Sequence, residues 1–436
     1  MNPEQSPSAE SPAENSETTS ESSSFAELFL PEPLLKAIDD LGFASCTPVQ
    51  KEVLPHTLDG EDLIAQAQTG TGKTAAFLIT VITFHLENPE ETLRANGTPF
   101  ALIIAPTREL ALQILADAQE LTKYSELNMV ALVGGMDYEK QQKQCQKKVD
   151  LVIATPGRLL DFSRRGYVNL KQVEQLVIDE ADRMLSMGFI PDLTAIVRQI
   201  PDKKERQTLL FSATYPDYIQ RVTEQWTHQP VTIKIKPDSV VTDTVEQITY
   251  LVESDKKYDL LYNLIQQDDV DRVIIFVNRR DDTRRLEEKL YRNDIQTGLL
   301  TGEVPQKKRL RTLDDFKEGK TKVLVATDVA GRGIHVNNVT HVINYNLPDD
   351  PEDYIHRIGR TGRAGAKGTS VTIACETECF QLPAIEDLLG TKIVGIQPEE
   401  KLLEKAPAPV KPRREKPAQS GGRKPHSGQR GRSNRR

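Results

Sequence analysis

Long apolar runs, cysteines, aromatic rings and a basic body are all scarce in this 436-residue chain. The longest apolar stretches, such as Ala101–Ala105, fall far short of the ~20 residues a membrane span needs, so no membrane partner is expected. The N-terminus lacks a basic-then-apolar leader, so secretion is not expected either. Four cysteines are no disulfide framework, and Cys375 and Cys379, spaced C-x-x-x-C, have no second Cys/His pair to complete a zinc site. A reducing cytoplasm is the expected setting. Aromatics make up only 6%, which leaves few stacking platforms of the kind that hold single-stranded nucleic acid.

Positive charge is confined to one end. Residues 1–24 carry five Glu and no Lys or Arg, while residues 401–436 carry twelve Lys/Arg against two Glu. With a total of −8, residues 25–400 hold a net −13. Binding of a polyanion through bulk basicity is therefore excluded for the body, whereas the tail suits it. Any polyanion held by the body must be met by local arrangement. The tail also admits a plainer reading as a solvated linker, but Gly and Pro interleaved with net charge +10 favour tethering of a polyanion.

What the chain does contain is alternation. Brief Val/Ile/Leu runs at Asp62–Ala65, Ala101–Ala105, Leu151–Ala154, Leu176–Asp179 and Leu209–Ser212 are separated by amphipathic stretches. A second series follows at Val273–Val277, Val323–Ala326, His341–Asn344 and Ser370–Ala374. This pattern predicts parallel strands covered on both faces. The expected fold is α/β, with two tandem doubly wound parallel-sheet lobes. Residues 1–24 form a disordered acidic tail, 25–235 the first lobe, 236–247 a linker, 248–398 the second lobe and 399–436 a disordered basic tail. Trp226 and Cys375 read as buried residues.

Nearly every predicted strand ends in Gly, Pro, Thr, Asp, Glu or Arg. Open α/β sheets bind ligands beyond the carboxyl ends of their strands, so a cleft between two such edges is the expected site. After the first strand comes Ala67-Gln68-Thr69-Gly70-Thr71-Gly72-Lys73-Thr74, followed by a helical stretch. Glycines there let backbone N–H groups turn around phosphate oxygens, and the helix N-terminus favours anions. Lys73 would reach the β/γ-phosphates of a nucleotide and Thr74 would ligate Mg²⁺. A Gly-rich turn before a helix is the plainer alternative.

Asp179 closes a buried strand and is the expected Mg²⁺ partner, largely through water. Glu180 would polarise the water that attacks the γ-phosphate, and Asp182 would organise contacts between motifs. Acids also simply favour helix N-termini, which is the alternative for this cluster. In the second lobe, His356-Arg357-Ile358-Gly359-Arg360-Thr361-Gly362-Arg363 spaces arginines every third residue, as along one helical face. Arg360 and Arg363 are candidates for charge on the γ-phosphate, so hydrolysis would require lobe closure. A solvated basic stripe is the other reading.

With Gln50, the phosphate loop, Asp179-Glu180-Ala181-Asp182, Ser212-Ala213-Thr214 and the arginine run in order, the chain resembles the DEAD-box RNA helicases. The resemblance spans about 375 residues and implies two RecA-like lobes, ATP and Mg²⁺ as cofactors, and RNA-dependent ATP hydrolysis. It implies that Phe25 stacks on adenine and that Gln50 reads its edge. It assigns RNA contacts to Pro106, Thr107, Arg108, Gly134, Gly135, Thr155, Pro156, Gly157 and Arg158 in the first lobe. In the second lobe these fall to Asn278, Gln306, Arg309 and Thr327, with Asp328 near the ribose. Asp182, Ser212, Thr214 and His356 would couple hydrolysis to unwinding. Independently, Thr, Gly N–H groups and isolated Arg suit sugar–phosphate contacts that do not read sequence.

Thr301-Gly302-Glu303 and His335 depart from the common family pattern, which has His-Gly-Asp and Asp at these places. With Pro305–Arg309 and Leu382–Glu386 they resemble the bacterial RhlB-type branch. That resemblance implies work with an endoribonuclease in an RNA-degrading assembly. Ribosome assembly, an RNA clamp with incidental ATP turnover, and a double-stranded DNA translocase remain open alternatives.

Overall fold

The computed structural model describes residues 24–67, 70–88, 94–215, 217–235, 245–331, 336, 338–362 and 367–412. The expected acidic tail before Ser24, residues 236–244 of the linker, the basic tail from 413, and Gln68, Thr69, His335 and Arg363 lie outside them.

Strands in the first lobe are β1 (Leu63–Gln66), β2 (Ala101–Ile104), β3 (Met129–Leu132), β4 (Leu151–Ala154), β5 (Gln175–Ile178), β6 (Gln207–Ser212) and β7 (Val231–Lys234). They form one parallel sheet in the order β3-β4-β2-β5-β6-β1-β7. Side chains alternate between faces: Leu63 and Ala65 join one apolar cluster, while Ile64 joins the other. The helix Lys73–Glu87 is buried through its middle, from Ala76 to Thr83, and Phe77 meets Phe211 of β6 at 5.4 Å between rings. A helix apolar around most of its circumference belongs inside a fold. Trp226 is buried at the end of Asp217–Trp226.

The second lobe repeats the plan with β8 (Val245–Leu251), β9 (Val273–Phe276), β10 (Thr297–Leu300), β11 (Val323–Ala326), β12 (His341–Asn344), β13 (Gly368–Ala374) and β14 (Gly395–Ile396). Their order is β10-β11-β9-β12-β13-β8-β14, again parallel. The expected α/β architecture of two parallel-sheet lobes is the one found.

Three local expectations differ. Residues 245–247, expected in the linker, are the start of β8 and pair with β13. The helix carrying Arg357 runs Pro351–Ile358 and stops at Gly359, so Arg360 leaves it and does not share a helical face with Arg357. The chain also stays on the second lobe beyond residue 398. Leu402 is buried in its core, Asn263 Nδ2 donates to Leu402 O at 3.0 Å, and Val410 N–H donates to Arg292 O at 2.8 Å. No helix of the described residues is long and apolar enough to cross a membrane.

Candidate active site and nucleic-acid interface

Strand order assembles the site. Because β5, β6 and β1 are neighbours, the residues following each meet at one edge: Asp179 after β5, Ser212 ending β6, and the glycine loop after β1. Register tightens this, since Gln66 pairs with Ser212 and Ala67 N–H donates to Ser212 O at 2.9 Å.

The loop is held from behind. Thr47 caps the helix Pro48–Leu58 through a reciprocal pair: Gln50 N–H donates to Thr47 Oγ1, and Thr47 N–H donates to Gln50 Oε1 at 2.8 Å. Gln50 Nε2 then donates to Gly72 O at 3.2 Å. Gly70 and Gly72 have φ of 86° and 94°, a region that a side chain disfavours. Lys73 is buried, and its Nζ donates to Ala67 O at 2.6 Å. Thr71 and Thr74 are half-buried and Ala67 is buried.

A cavity of about 290 Å³ opens here, lined by Gly70, Gly72, Lys73, Thr74, Asp179 and Glu180. Its far side is lined by Phe43 and Leu41. Phe25 is 4% exposed and belongs to the core, with its ring 6.5 Å from that of Phe43, which is 38% exposed. The aromatic facing the cavity is therefore Phe43, a residue the sequence reading passed over. Its place beside Gly42, just before the Thr47–Gln50 cap, was the available signal. Gln50, for its part, meets the loop through both ends of its amide.

Burial pushes the Asp179 carboxyl up to about 6, with Lys73 pulling the other way. Glu180 adopts φ 52°, ψ 52°, a left-handed conformation uncommon outside glycine. Burial would raise its pKa as well, but Arg183, Arg360, His356 and Lys73 together hold it at about 2. Arg183 is its direct ion-pair partner. Arg360 and His356 belong to the second lobe, so both lobes set the charge on this carboxylate. Arg360 is 2% exposed and its Nε donates to His356 O at 2.9 Å.

Asp182 is buried beside the Ser212-Ala213-Thr214 turn. Its Oδ2 accepts N–H bonds from Ala213 at 3.0 Å and Thr214 at 2.8 Å. Ser212 Oγ accepts the Asp182 N–H at 3.1 Å and donates to Thr214 O at 2.7 Å. The two motifs form one rigid cluster.

A second cleft of about 560 Å³ lies between the lobes, lined by Pro106, Thr107, Arg108, Gly134, Thr155, Gly157 and Arg158, and from the other lobe by Gly302, Gln306 and Arg309. Thr107 caps the helix Arg108–Leu121 by accepting the Leu110 N–H, and Pro156 opens the helix Pro156–Arg164. Arg108 is exposed and lies over Gly134 and Gly135, where an added Cβ at Gly135 would come within 2.3 Å of its guanidinium. Arg158 packs 5.0 Å over the Tyr138 ring.

Several second-lobe residues expected on RNA are engaged inside the protein. Glu109 Oε1 accepts from Gln306 Nε2 at 3.0 Å and from Arg309 Nε at 2.8 Å. Asn278 Nδ2 donates to Leu347 O at 2.8 Å, and its Oδ1 accepts from Arg357 Nη2 at 2.8 Å. Arg357 also grips Asp328 with two bonds, at 2.6 and 2.7 Å. The charge of Asp328 is thus balanced inside the second lobe. Thr327 is buried at the end of β11. Sequence gave no hint of Glu109 or Arg357 as partners, because their contacts are remote in the chain.

The same architecture and edge are known elsewhere. The DEAD/DEAH box helicase family matches residues 47–222, and the helicase conserved C-terminal domain family matches residues 256–365. The chain belongs to the DEAD-box ATP-dependent RNA helicases. ATP-dependent RNA helicase RhlB of Pseudomonas aeruginosa (strain UCBPP-PA14) is 55% identical over 384 residues, covering 88% of this chain and 97% of that protein. RhlB of Shewanella sediminis (strain HAW-EB3) is 43% identical over 421 residues, covering 95% and 97%. The helicase is also similar to S. cerevisiae Dbp5 bound to RNA and ADP BeF3, with TM-score 0.76 and 33% identity over 86% of this chain and 95% of the other. Mss116p bound to ssRNA and AMP-PNP gives TM-score 0.77 and 29% identity, covering 88% and 81%. Nucleotide use and RNA binding follow from the family.

Proposed function

We propose that the helicase closes its two lobes on ATP and RNA together, separates short RNA duplexes locally, and resets by hydrolysing ATP. The observation that carries this reading is geometric: Arg108, Thr155 and Arg158 of the first lobe and Gly302, Gln306 and Arg309 of the second line one cleft, and Glu109 Oε1 accepts from Arg309 Nε across it at 2.8 Å. Glu180 would orient and polarise the attacking water. A carboxylate with pKa about 2 is a weak base, which suits phosphoryl transfer through a loose transition state, where positioning and charge dominate. Lys73 would bind the β/γ-phosphates, and Arg360 with Arg363 would neutralise charge on the γ-phosphate. The Thr47–Gln50 cap would fix the loop, with Phe43 against adenine and Phe25 packed behind it.

Mg²⁺ fits the residues present. Asp179 is a buried carboxyl at a strand end whose burial outweighs the nearby Lys73, and Thr74 offers a hydroxyl in the same cavity. Held by these two, the ion would supply positive charge at the phosphates.

RNA would cross the 560 Å³ cleft on Arg108, the Gly134-Gly135 turn, Thr155 and Arg158, held by sugar and phosphate without sequence preference. We place the helicase in the cytoplasm, within an endoribonuclease-based RNA-degradation assembly, as its likeness to the RhlB branch suggests. Co-purification of the native helicase with endoribonuclease activity tests that setting; elution free of it argues for an independent or ribosome-assembly helicase.

The core reading is tested by release of one strand from a short RNA duplex. Wild type should release it with ATP and turn over. Glu180→Gln should fail to do so catalytically while still binding RNA with ATP. Equal release without nucleotide, or by Glu180→Gln at the wild-type rate, contradicts it.

A further inference from the structure

The Thr214 hydroxyl lies 3.2 Å from two carboxylate oxygens that belong to different lobes, Asp182 Oδ2 and Glu352 Oε2. A hydroxyl has one proton to donate. Asp182 has little need of it. The Ala213 and Thr214 N–H groups already donate to its Oδ2, and the Arg183 N–H donates to its Oδ1 at 2.9 Å.

Glu352 sits in the first turn of the helix Pro351–Ile358, where Asp350 accepts its N–H at 3.0 Å. An acid at a helix N-terminus is ordinarily explained by the dipole alone and faces water. Glu352 is instead half-buried against the other lobe. Burial pushes its carboxyl above the usual range, as do the charges of Asp350 and Asp182, while Thr214 and His356 counteract. The helix-terminal explanation predicts the opposite direction.

We propose that Glu352 is a positioning residue for hydrolysis: on closure it engages the Thr214 hydroxyl and locks the second lobe to the Asp182–Ser212–Thr214 cluster. The inference rests on the closure reading above. Asp182 lies two residues past Glu180, in the short helix Ala181–Ser186 that begins directly after Glu180's left-handed turn. A pull on Thr214 is therefore transmitted through Asp182 to the residue that orients water. The contact completes a chain from the arginine-bearing helix of one lobe to the acidic motif of the other, without touching nucleotide.

The test is a double-mutant cycle on Thr214→Val and Glu352→Ala, with Glu352→Gln as the conservative variant. The readout is the ratio of RNA affinities with and without a non-hydrolysable ATP analogue. A hydrogen bond to a charged group is worth about 1.5–3 kcal/mol, so each single change should shrink that ratio by about tenfold or more. The double variant should be no worse than the worse single, and Glu352→Gln should recover most of the loss, because its amide can donate to Thr214 Oγ1. A wild-type ratio kept by Glu352→Ala, additive losses in the double variant, or no recovery by Gln overturns the inference and leaves the closure reading standing. A wild-type ratio near one overturns both.

Discussion

Glu109 Oε1 of the first lobe accepts the Nε proton of Arg309, 200 residues further along the chain, at 2.8 Å. The other guanidinium nitrogens of Arg309 donate to Thr301 O at 3.1 Å and Ala330 O at 3.2 Å. Arg309 is 6% exposed, so its guanidinium is spent inside the protein, with one of these three bonds crossing between the lobes.

Two roles for Arg309 therefore predict opposite outcomes for Glu109→Ala. If Arg309 latches the lobes, the variant strands a buried guanidinium, and loss of a hydrogen bond to a charged group costs about 1.5–3 kcal/mol. RNA half-saturation of ATP turnover should then rise tenfold or more. If Arg309 instead binds RNA, freeing it from Glu109 should tighten RNA binding. Titration of RNA against turnover decides the sign, and the latch predicts the rise.

The loop behind the phosphates gives a second comparison. A Cβ on Gly72 would lie 2.7 Å from Gln50 Nε2 and 2.8 Å from Thr47 Oγ1, on a backbone at φ 94°. Gly70 has φ 86° with nothing within 4 Å among the described residues. Gly70→Ala should meet only the backbone cost, about 1–2 kcal/mol, whereas Gly72→Ala should also dislodge the cap. ATP-analogue affinity should fall in both variants, and further in Gly72→Ala.

These cases mark where sequence was legible. The central strands were visible because each is a continuous buried run, as in β2, β4, β5 and β11. The strands β3 and β10 alternate buried and half-buried residues, and β7, β8 and β14 are partly exposed, so none shows such a run. All but β8 are the outermost strands of their sheets, and β8 is covered on one side only by the two-residue β14. The places of Lys73, Asp179, Glu180, Asp182 and Ser212–Thr214 are legible in the sequence because each lies at or in the short segment leaving the end of a strand. The engagement of Arg309 by Glu109, of Asp328 by Arg357, and the exposure of Phe43 rather than Phe25 depend on tertiary contacts that leave no local pattern.

Arg357 is bound wholly inside the second lobe. It is 1% exposed, holds Asp328 through two bonds and also donates to Asn346 O at 2.6 Å. Removing one partner of a buried pair costs about 3–5 kcal/mol. Arg357→Ala should lower the thermal midpoint of the second lobe by roughly 10 °C. Lysine should recover little, since it lacks the planar fork. A midpoint within a degree of wild type would show that the pair is not structural.

Acid should act on stability through His341 in β12. Burial depresses its pKa, outweighing Asp269 and Glu246, which pull it up, with Lys322 adding to the depression. The unfolded chain then binds the proton more readily than the folded one. Stability is full above the unfolded value of about 6.5 and is lost as pH falls from there through the folded value. Denaturant midpoints between pH 7.5 and 5 should fall less steeply in His341→Gln than in wild type. Parallel slopes would contradict the assignment.

The central claim is that ATP hydrolysis needs both lobes closed on RNA, with Glu180 acting on water under the charge of Arg360. It is tested most directly by steady-state ATP turnover of wild type, Glu180→Gln and Arg360→Ala, each with and without single-stranded RNA, at two salt concentrations. The account predicts strong RNA stimulation in wild type, reduced by higher salt and abolished in both variants. Turnover indifferent to RNA, or stimulation surviving Glu180→Gln, would contradict it.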